Sequence, residues 1–554
     1  MTGTPRDVDV LIVGAGINGA GLFRDLCEQG LSVAIVDKAD FGSGTSAAPS
    51  RLIHGGIKYL ETGELGLVAQ STLERNLLLR NAPHAVRPLP TVIPIFSWLT
   101  GIGAALRTLF GSMTAPRSRG ALLIKIGLAM YDFYGARHRV MPRHALWSKA
   151  HALTEIPPLT PRIVAAGTYY DATVRHPERL VLELLQDGIR ASAQSEALNY
   201  VQLLGSDGSV VRFALPEGGE LSFRPRIVVN ATGPWIDPVN AALGAPSGLI
   251  GGTKGSHILL DHPDLLRALN GRMIYFEAND GRICLVFDYL GRALVGSTDI
   301  RAADPETVRC EEDEIDYLLA SLRDLLPGLA FGREQIVYAY SGIRPLPASN
   351  GTAPGLISRD HSAPVMETDG NRNWPIISLV GGKWTTFRGF AEEVADTLLS
   401  RLGQPRRVST QNLAIGGGRD FPADAAAHAR WISAVTAETG ASPARAEALL
   451  DRYGTTAHAI LAHEAERQAE PLAGSLEYTQ AEIDWLARNE RVVHLADIVM
   501  RRTALAITGR LNRINLEQIA DTAAAALMWN AERRQKELEA TSKELTERHR
   551  FCFE

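Results

Sequence analysis

Cysteine is scarce: four in 554 residues, Cys27, Cys284, Cys310 and Cys552, with no CxxC pair. That excludes a disulfide framework and a cysteine-built zinc or iron–sulfur centre, suits a reducing compartment, and leaves no metal site expected. Long hydrophobic runs are missing as well. The longest uncharged stretch, Pro88 to Leu106, carries Pro88, Pro90 and Pro94 near its start, which makes it a poor membrane-spanning helix. The N-terminus sets Asp7 and Asp9 beside Arg6, with no small-residue cleavage site after a plain apolar run, so it does not read as a secretory signal. Neither sign of charge dominates: 57 basic against 62 acidic residues give −5, and no nucleic-acid partner is expected. No repeat or low-complexity tract is visible. What the chain has is apolar residue in quantity, 45% of the total, enough for large cores in two to four domains.

The first forty residues carry a pattern. Val8–Val13 suits a buried parallel strand. Gly14-Ala15-Gly16-Ile17-Asn18-Gly19 follows, then a helix-forming stretch Ala20–Gln29, a stop at Gly30, and a second apolar strand Leu31–Val36 ending in Asp37. This is a β-turn-α-β unit with GxGxxG at the turn. Gly14 permits the tight turn, Gly16 lets the backbone approach a pyrophosphate, and Gly19 lets helix and strand pack closely. The helix N-terminus offers N–H groups to the phosphates. Asp37 falls where an acid takes ribose hydroxyls. The motif alone does not separate FAD from NAD. Its place at the extreme N-terminus favours FAD, as do a second glycine-rich segment near 380 and the strand-like Arg226–Ala231 leading into Thr232-Gly233-Pro234-Trp235.

Further on, Gly42-Ser43-Gly44-Thr45-Ser46 and Ser50-Arg51-Leu52-Ile53-His54-Gly55-Gly56-Ile57-Lys58-Tyr59-Leu60-Glu61 resemble the flavin-contacting segment of FAD-dependent glycerol-3-phosphate dehydrogenases. Ordered matches follow in Lys254-Gly255-Ser256-His257, Gly296-Ser297-Thr298-Asp299, Tyr340-Ser341-Gly342-Ile343-Arg344-Pro345-Leu346, Ser358-Arg359-Asp360 and Gly381-Gly382-Lys383-Trp384-Thr385-Thr386. The resemblance runs from about residue 8 to 400, and more loosely to Asp497 and Arg501-Arg502-Thr503.

The resemblance implies an α/β fold: a glutathione-reductase-type, Rossmann-like FAD domain interleaved with a mostly antiparallel substrate domain, then a C-terminal helical cap. The FAD-binding parts would be about 1–75, 160–245 and 340–412, the substrate-binding parts about 76–159 and 246–339, and the cap, with a charged tail, 416–554. It implies oxidation of sn-glycerol 3-phosphate to dihydroxyacetone phosphate, with electrons passing to membrane quinone. The cofactor set expected for FAD is Gly14, Gly16, Asn18, Gly19, Asp37, Lys38, Thr45, Ser46, Ser50, Leu52, His54, Gly55, Gly56, Gly233, Trp235, Gly382, Lys383 and Thr385.

Oxidising a secondary alcohol at a flavin needs cations for the dianionic phosphate, a base for the hydroxyl proton and an oriented C–H bond. Arg344 and Arg359 are the candidate phosphate clamps, with Lys58 and Tyr59 completing the shell and Lys383 where flavin and substrate meet. The catalytic candidates are His257, Arg344 and Lys383. His257 is the preferred base, since a neutral imidazole is available at physiological pH; Lys383 or Arg344 could share or take the role. The role of His54 stays open. Lys58 stands where the family commonly carries arginine, and the loss of two-pronged geometry leaves the substrate open to related polyol phosphates such as erythritol phosphate. An oxidase passing electrons to oxygen, or a flavin protein without turnover used as a binding scaffold, are the other readings.

Between Gly101 and Ala150 eight basic residues (Arg107, Arg117, Arg119, Lys125, Arg137, Arg139, Arg143, Lys149) face one acid, Asp132, among the apolar patches Ile102–Phe110 and Ala121–Met130 with Trp98, Phe110 and Tyr131. The segment, about 92–149, is expected to lie on an anionic membrane surface, which suits a quinone acceptor and places the protein at the inner face of the cytoplasmic membrane. After Gly416-Gly417-Gly418, read as a linker, alanine-rich helices run to about Asn530, with breaks near Gly440, Gly454 and Gly474 and helices at Glu477–Asn489 and Arg491–Thr508. This cap is expected to pack on the substrate domain or on a second copy of the chain, a homodimer. Glu532–Arg550 reads as a solvated helix or frayed tail.

Overall fold

The computed structural model describes residues 4–60, 64–98, 120–136, 141–302, 304–349, 359–467 and 470–553. Arg6–Val13, Val33–Val36, Glu196–Leu198, Glu220–Asn230 and Ile376–Ser378 form the parallel core of one sheet, in the order Ile376–Ser378, Glu220–Asn230, Arg6–Val13, Val33–Val36, Glu196–Leu198. The late strand expected at Arg226–Ala231 is thus longer and pairs directly with the first. The expected helix is Ile17–Glu28, which begins at the glycine turn. It packs with Pro177–Ala191 and Phe387–Leu402 in one core built on Val10, Ile12, Phe23, Leu184 and Leu398. Both faces of these strands are buried, which is why they read as continuous apolar runs.

Among the described residues the second sheet has ten strands and is antiparallel except for Met273–Glu277 against Val86–Ile95. Val86–Ile95 holds the three prolines; their even spacing removes N–H groups from one edge only, and all ten residues still register against Ala165–Val174. Ala165–Val174 therefore belongs to this sheet, although it lies beyond the boundary near 160 read from the sequence. Leu52–Ile53, on the flavin segment, pairs with its far edge.

One face of the second sheet is covered by Pro263–Leu269 and Glu312–Leu325. The other shares a core with the C-terminal helices, Leu259, Leu285 and Phe287 packing with Leu449, Ile483, Leu505 and Ile519. Those helices are Ala425–Thr439, Pro443–Tyr453, Ala457–Glu466, Gln480–Asn489, Arg513–Leu527 and Ala531–His549. Several C-terminal expectations are corrected. Gly416–Gly418 is a packed turn and no loose linker, since a Cβ on Gly417 would stand 1.9 Å from the Tyr453 carbonyl oxygen. The break near Gly474 is there as expected, as a hairpin between Pro471–Leu472 and Ser475–Thr479, so the helix read from Glu477 starts at Gln480. Arg491–Thr508 is not one helix but a short turn, Leu495–Asp497, running into a π-helical turn, Ile498–Arg502. The charged tail is neither frayed nor wholly solvated: Leu545 is buried and His549 stacks on Tyr338.

Within the basic segment, Arg107, Arg117, Arg119, Arg137, Arg139 and the patch Ile102–Phe110 lie outside the described residues. Ala121–Tyr134 is a helix with two apolar stripes. Ile124, Leu128 and Tyr131 face the core, whereas Leu122, Ile126 and Phe133 are exposed, Phe133 to 76%. Trp98 is exposed as expected; Tyr131 is buried instead. No described helix is long and apolar enough to cross a membrane.

Candidate functional site

A cavity of about 1270 Å³ runs from the carboxyl ends of the parallel strands into the second sheet. Its first end is main chain. Gly14 has φ +102°, and a Cβ there would stand 2.7 Å from the carbonyl oxygen of Ala231; one on Gly19 would stand 2.0 Å from the oxygen of Gly14. Gly16 precedes the helix without offering a capping side chain, and Ile17 N–H donates to Ser46 Oγ at 2.9 Å. Asp37 accepts N–H bonds from Ala15 at 2.7 Å and Ala39 at 3.0 Å; burial, the larger effect, still pushes its carboxyl up to about 6. Lys38 lies 4.5 Å over the Trp235 ring, and Trp235 Nε1 donates to Glu306 at 2.7 Å.

The middle of the cavity belongs to the flavin segment. Thr45 donates to the Ile343 carbonyl at 2.7 Å, tying the segment to the strand that carries Arg344. Thr385 Oγ1 accepts from the His54 N–H at 3.2 Å, and burial holds the His54 imidazole down at about 4. Gly382, at φ +89°, faces Asn18, whose Oδ1 is buried without a partner. Gly233 and Leu52 also line the wall. Gly19 and Gly55 do not; they act from behind. The Gly55 N–H donates to Tyr131 Oη at 2.8 Å and to Asp171 Oδ1 at 3.1 Å, and Arg75 pairs with the same carboxylate at 3.0 Å.

The far end is charged. Arg344 Nη1 reaches Asp299 Oδ1 at 3.1 Å and its Nη2 reaches Ser297 Oγ at 3.2 Å; Arg359 takes the other oxygen of Asp299 at 3.3 Å. Burial, then the neighbouring Arg359, pull the Arg344 guanidinium down to about 10. Lys383 is nearly buried. Its Nζ lies 3.5 Å over the Tyr59 ring and donates to Ser71 Oγ at 3.0 Å, and burial draws the ammonium down to about 7. Two arginines and a lysine thus open on one cavity with one carboxylate between the arginines, an arrangement suited to a dianion. The Lys58 side chain lies outside the described residues.

His257 lines the cavity but is enclosed. It is 1% exposed, stacks on Tyr340 at 4.9 Å, and its Nε2 is 2.9 Å from Ser50 Oγ while its Nδ1 is enclosed without a partner. A proton on Nδ1 would leave a buried N–H unmade, so the favoured tautomer carries it on Nε2 and donates to Ser50. Burial and then Arg344 hold the ring well below the ordinary histidine value. His257 thus meets Ser50 at the cavity wall with a ring that burial keeps neutral. Asp299, Ser71 and the Tyr131–Asp171 pair were not singled out from sequence, although Asp299 stood in a quoted motif.

The cradle fits a dinucleotide: at Gly14 and Gly19 any Cβ would meet backbone, at Gly16 it would meet Ser46 Oγ, and the helix that starts after Gly16 opens on the same wall. Sequence comparison agrees. The model of the FAD dependent oxidoreductase family matches residues 9–396, and that of the C-terminal domain of alpha-glycerophosphate oxidase matches residues 408–534. A glycerol-3-phosphate dehydrogenase of Synechocystis sp. is 33% identical over 96% of this chain and 95% of its own. A D-erythritol 1-phosphate dehydrogenase of Brucella abortus is 29% identical over 90% of this chain and 94% of its own. Among solved structures, a Bacillus halodurans glycerol-3-phosphate dehydrogenase complexed with FAD shares the fold at TM-score 0.75 and 22% identity, covering 98% of this chain and 95% of that one.

Proposed function

The chain belongs to the FAD-dependent glycerol-3-phosphate dehydrogenase family, with FAD as its cofactor, and from that premise we propose that it oxidises sn-glycerol 3-phosphate to dihydroxyacetone phosphate and passes the electrons to a membrane quinone. The observation that carries the substrate reading is the convergence of Arg344, Arg359 and Lys383 on one end of the cavity, around Asp299 and Tyr59.

FAD held by the glycine turn, Asp37 and the flavin segment supplies a two-electron acceptor for the hydrogen leaving carbon. The chain's own groups do the rest. Arg344 and Arg359 grip the phosphate, with Asp299 fixing both forks. Lys383, drawn down to about 7, accepts the hydroxyl proton at Nζ; its affinity matches the working pH, which a histidine held well below its usual value does not. Tyr59 and Ser71 hold Lys383 in place, and His257 sets the Ser50 hydroxyl at the cavity wall.

The exposed stripe Leu122, Ile126 and Phe133, flanked by Trp98 and Lys125, supports attachment to the inner face of the cytoplasmic membrane, where a quinone acceptor dissolves. A four-carbon polyol phosphate is the second reading, favoured by Lys58 in place of arginine. Turnover with glycerol 3-phosphate against erythritol phosphate, using a dye acceptor, separates the two; hydrogen peroxide release during turnover would overturn the quinone acceptor.

A further inference from the structure

The C-terminal domain reaches the back of the cofactor cradle through two arginines that neither the reaction nor the glycine motif uses. Asp40 lies three residues after Asp37 and is fully buried. Arg501 Nε pairs with its Oδ2 at 2.6 Å, and Arg502 clasps both oxygens at 2.7 and 2.9 Å. Arg501 also pairs with Asp497 at 2.6 Å, and Asp497 accepts from Tyr200 Oη at 2.5 Å. Both arginines come from the π-helical turn Ile498–Arg502, more than 450 residues away in sequence.

The loop they hold is the cradle's own edge. The Asp37 carboxylate is bound to the Ala15 amide of the glycine turn, and Gly42 N–H donates to the Ala15 carbonyl at 3.0 Å. Ser43 Oγ donates to the Asp40 carbonyl at 2.6 Å, and Val201 N–H to the Asp37 carbonyl at 2.8 Å. The charge matters as much as the geometry. An unneutralised Asp40 would repel both Asp37 and a pyrophosphate, and Asp40 already acts to raise the Asp37 carboxyl. A buried ion pair is weak evidence of stability in itself, because desolvation offsets the attraction; it is better evidence of a fixed position.

We propose that Arg501 and Arg502 are cofactor-positioning residues, through which the C-terminal domain holds the Asp37–Gly42 loop against FAD and cancels the charge of Asp40. This rests on family membership alone and not on the choice of substrate. The test is FAD titration of the full-length apoprotein, followed by flavin fluorescence, for Arg501→Gln, Asp40→Asn and the double variant, with apoprotein Tm measured alongside. Each single change is expected to weaken FAD binding about tenfold, with the double no weaker than the worse single, and Arg501→Lys is expected to recover affinity. Wild-type FAD affinity in folded Arg501→Gln, or losses that multiply in the double variant, would overturn the proposal, as would a lowered Tm with unchanged affinity. Should Asp40→Asn fail to fold, Tyr200→Phe, which frees only the Asp497 contact, carries the same test: a smaller loss of affinity supports the clasp, and none overturns it.

Discussion

The two ends of the cavity are made from different material. The nucleotide end is main chain: glycines at 14, 16 and 19, a helix start and one acid, all within a short span of sequence. The reacting end is side chain: Arg344 and Arg359 meet on Asp299, and Lys383 lies over Tyr59, all lining the same cavity. A backbone cradle tolerates almost no added atom but needs no titration. A side-chain pocket tolerates substitution by degrees, and its chemistry depends on which cations stay charged once buried.

That contrast can be broken in order of expected effect. Gly19→Val puts a Cβ 2.0 Å from the Gly14 oxygen, where only backbone can yield. The purified variant should be colourless and take up no FAD on titration; a yellow, loaded variant would show that the cradle is not backbone-limited. Arg344→Ala removes one fork of the clamp. It should keep FAD but lower kcat/KM for glycerol 3-phosphate by about 10²–10³-fold, chiefly through KM, with Lys58→Ala costing far less. Equal effects in steady-state assays would dissolve the distinction between clamp and rim.

The pH profile sharpens it further. Burial favours the neutral amine of Lys383, so the proton-accepting form grows as pH rises through about 7. The wild-type kcat/KM should climb about tenfold per unit below that point and level off above it. Lys383→Arg, which cannot lose its proton, should be slower and lack that limb; a limb that survives would move the acceptor elsewhere. The smallest effect is expected outside the cavity. Phe133→Ser should weaken binding to anionic vesicles by about tenfold, from roughly 1.5 kcal/mol of lost apolar contact, with soluble turnover unaffected.

The same contrast explains what was legible from sequence. The β-turn-α-β unit reads easily because each part is local and each glycine has one steric reason. Arg344, Arg359 and Lys383 came from ordered motifs that the fold then brought together. Their consequences were hidden, because the draw-down of Lys383 and the enclosure of His257 arise from burial that no spacing reports. Tyr131 looked like an interface aromatic until its place on the inner stripe of Ala121–Tyr134 turned it toward Gly55. Arg491–Thr508 read as a helix because its apolar period is helical. The buried pairs of Arg501 and Arg502 with Asp40 anchor a π-helical turn there instead.

The most direct test mixes the FAD-loaded protein anaerobically with glycerol 3-phosphate, erythritol phosphate and unphosphorylated glycerol while the flavin absorbance is followed. Rapid bleaching by a phosphorylated polyol, absent with glycerol, is the predicted result. A flavin that stays oxidised with every polyol phosphate would contradict the account.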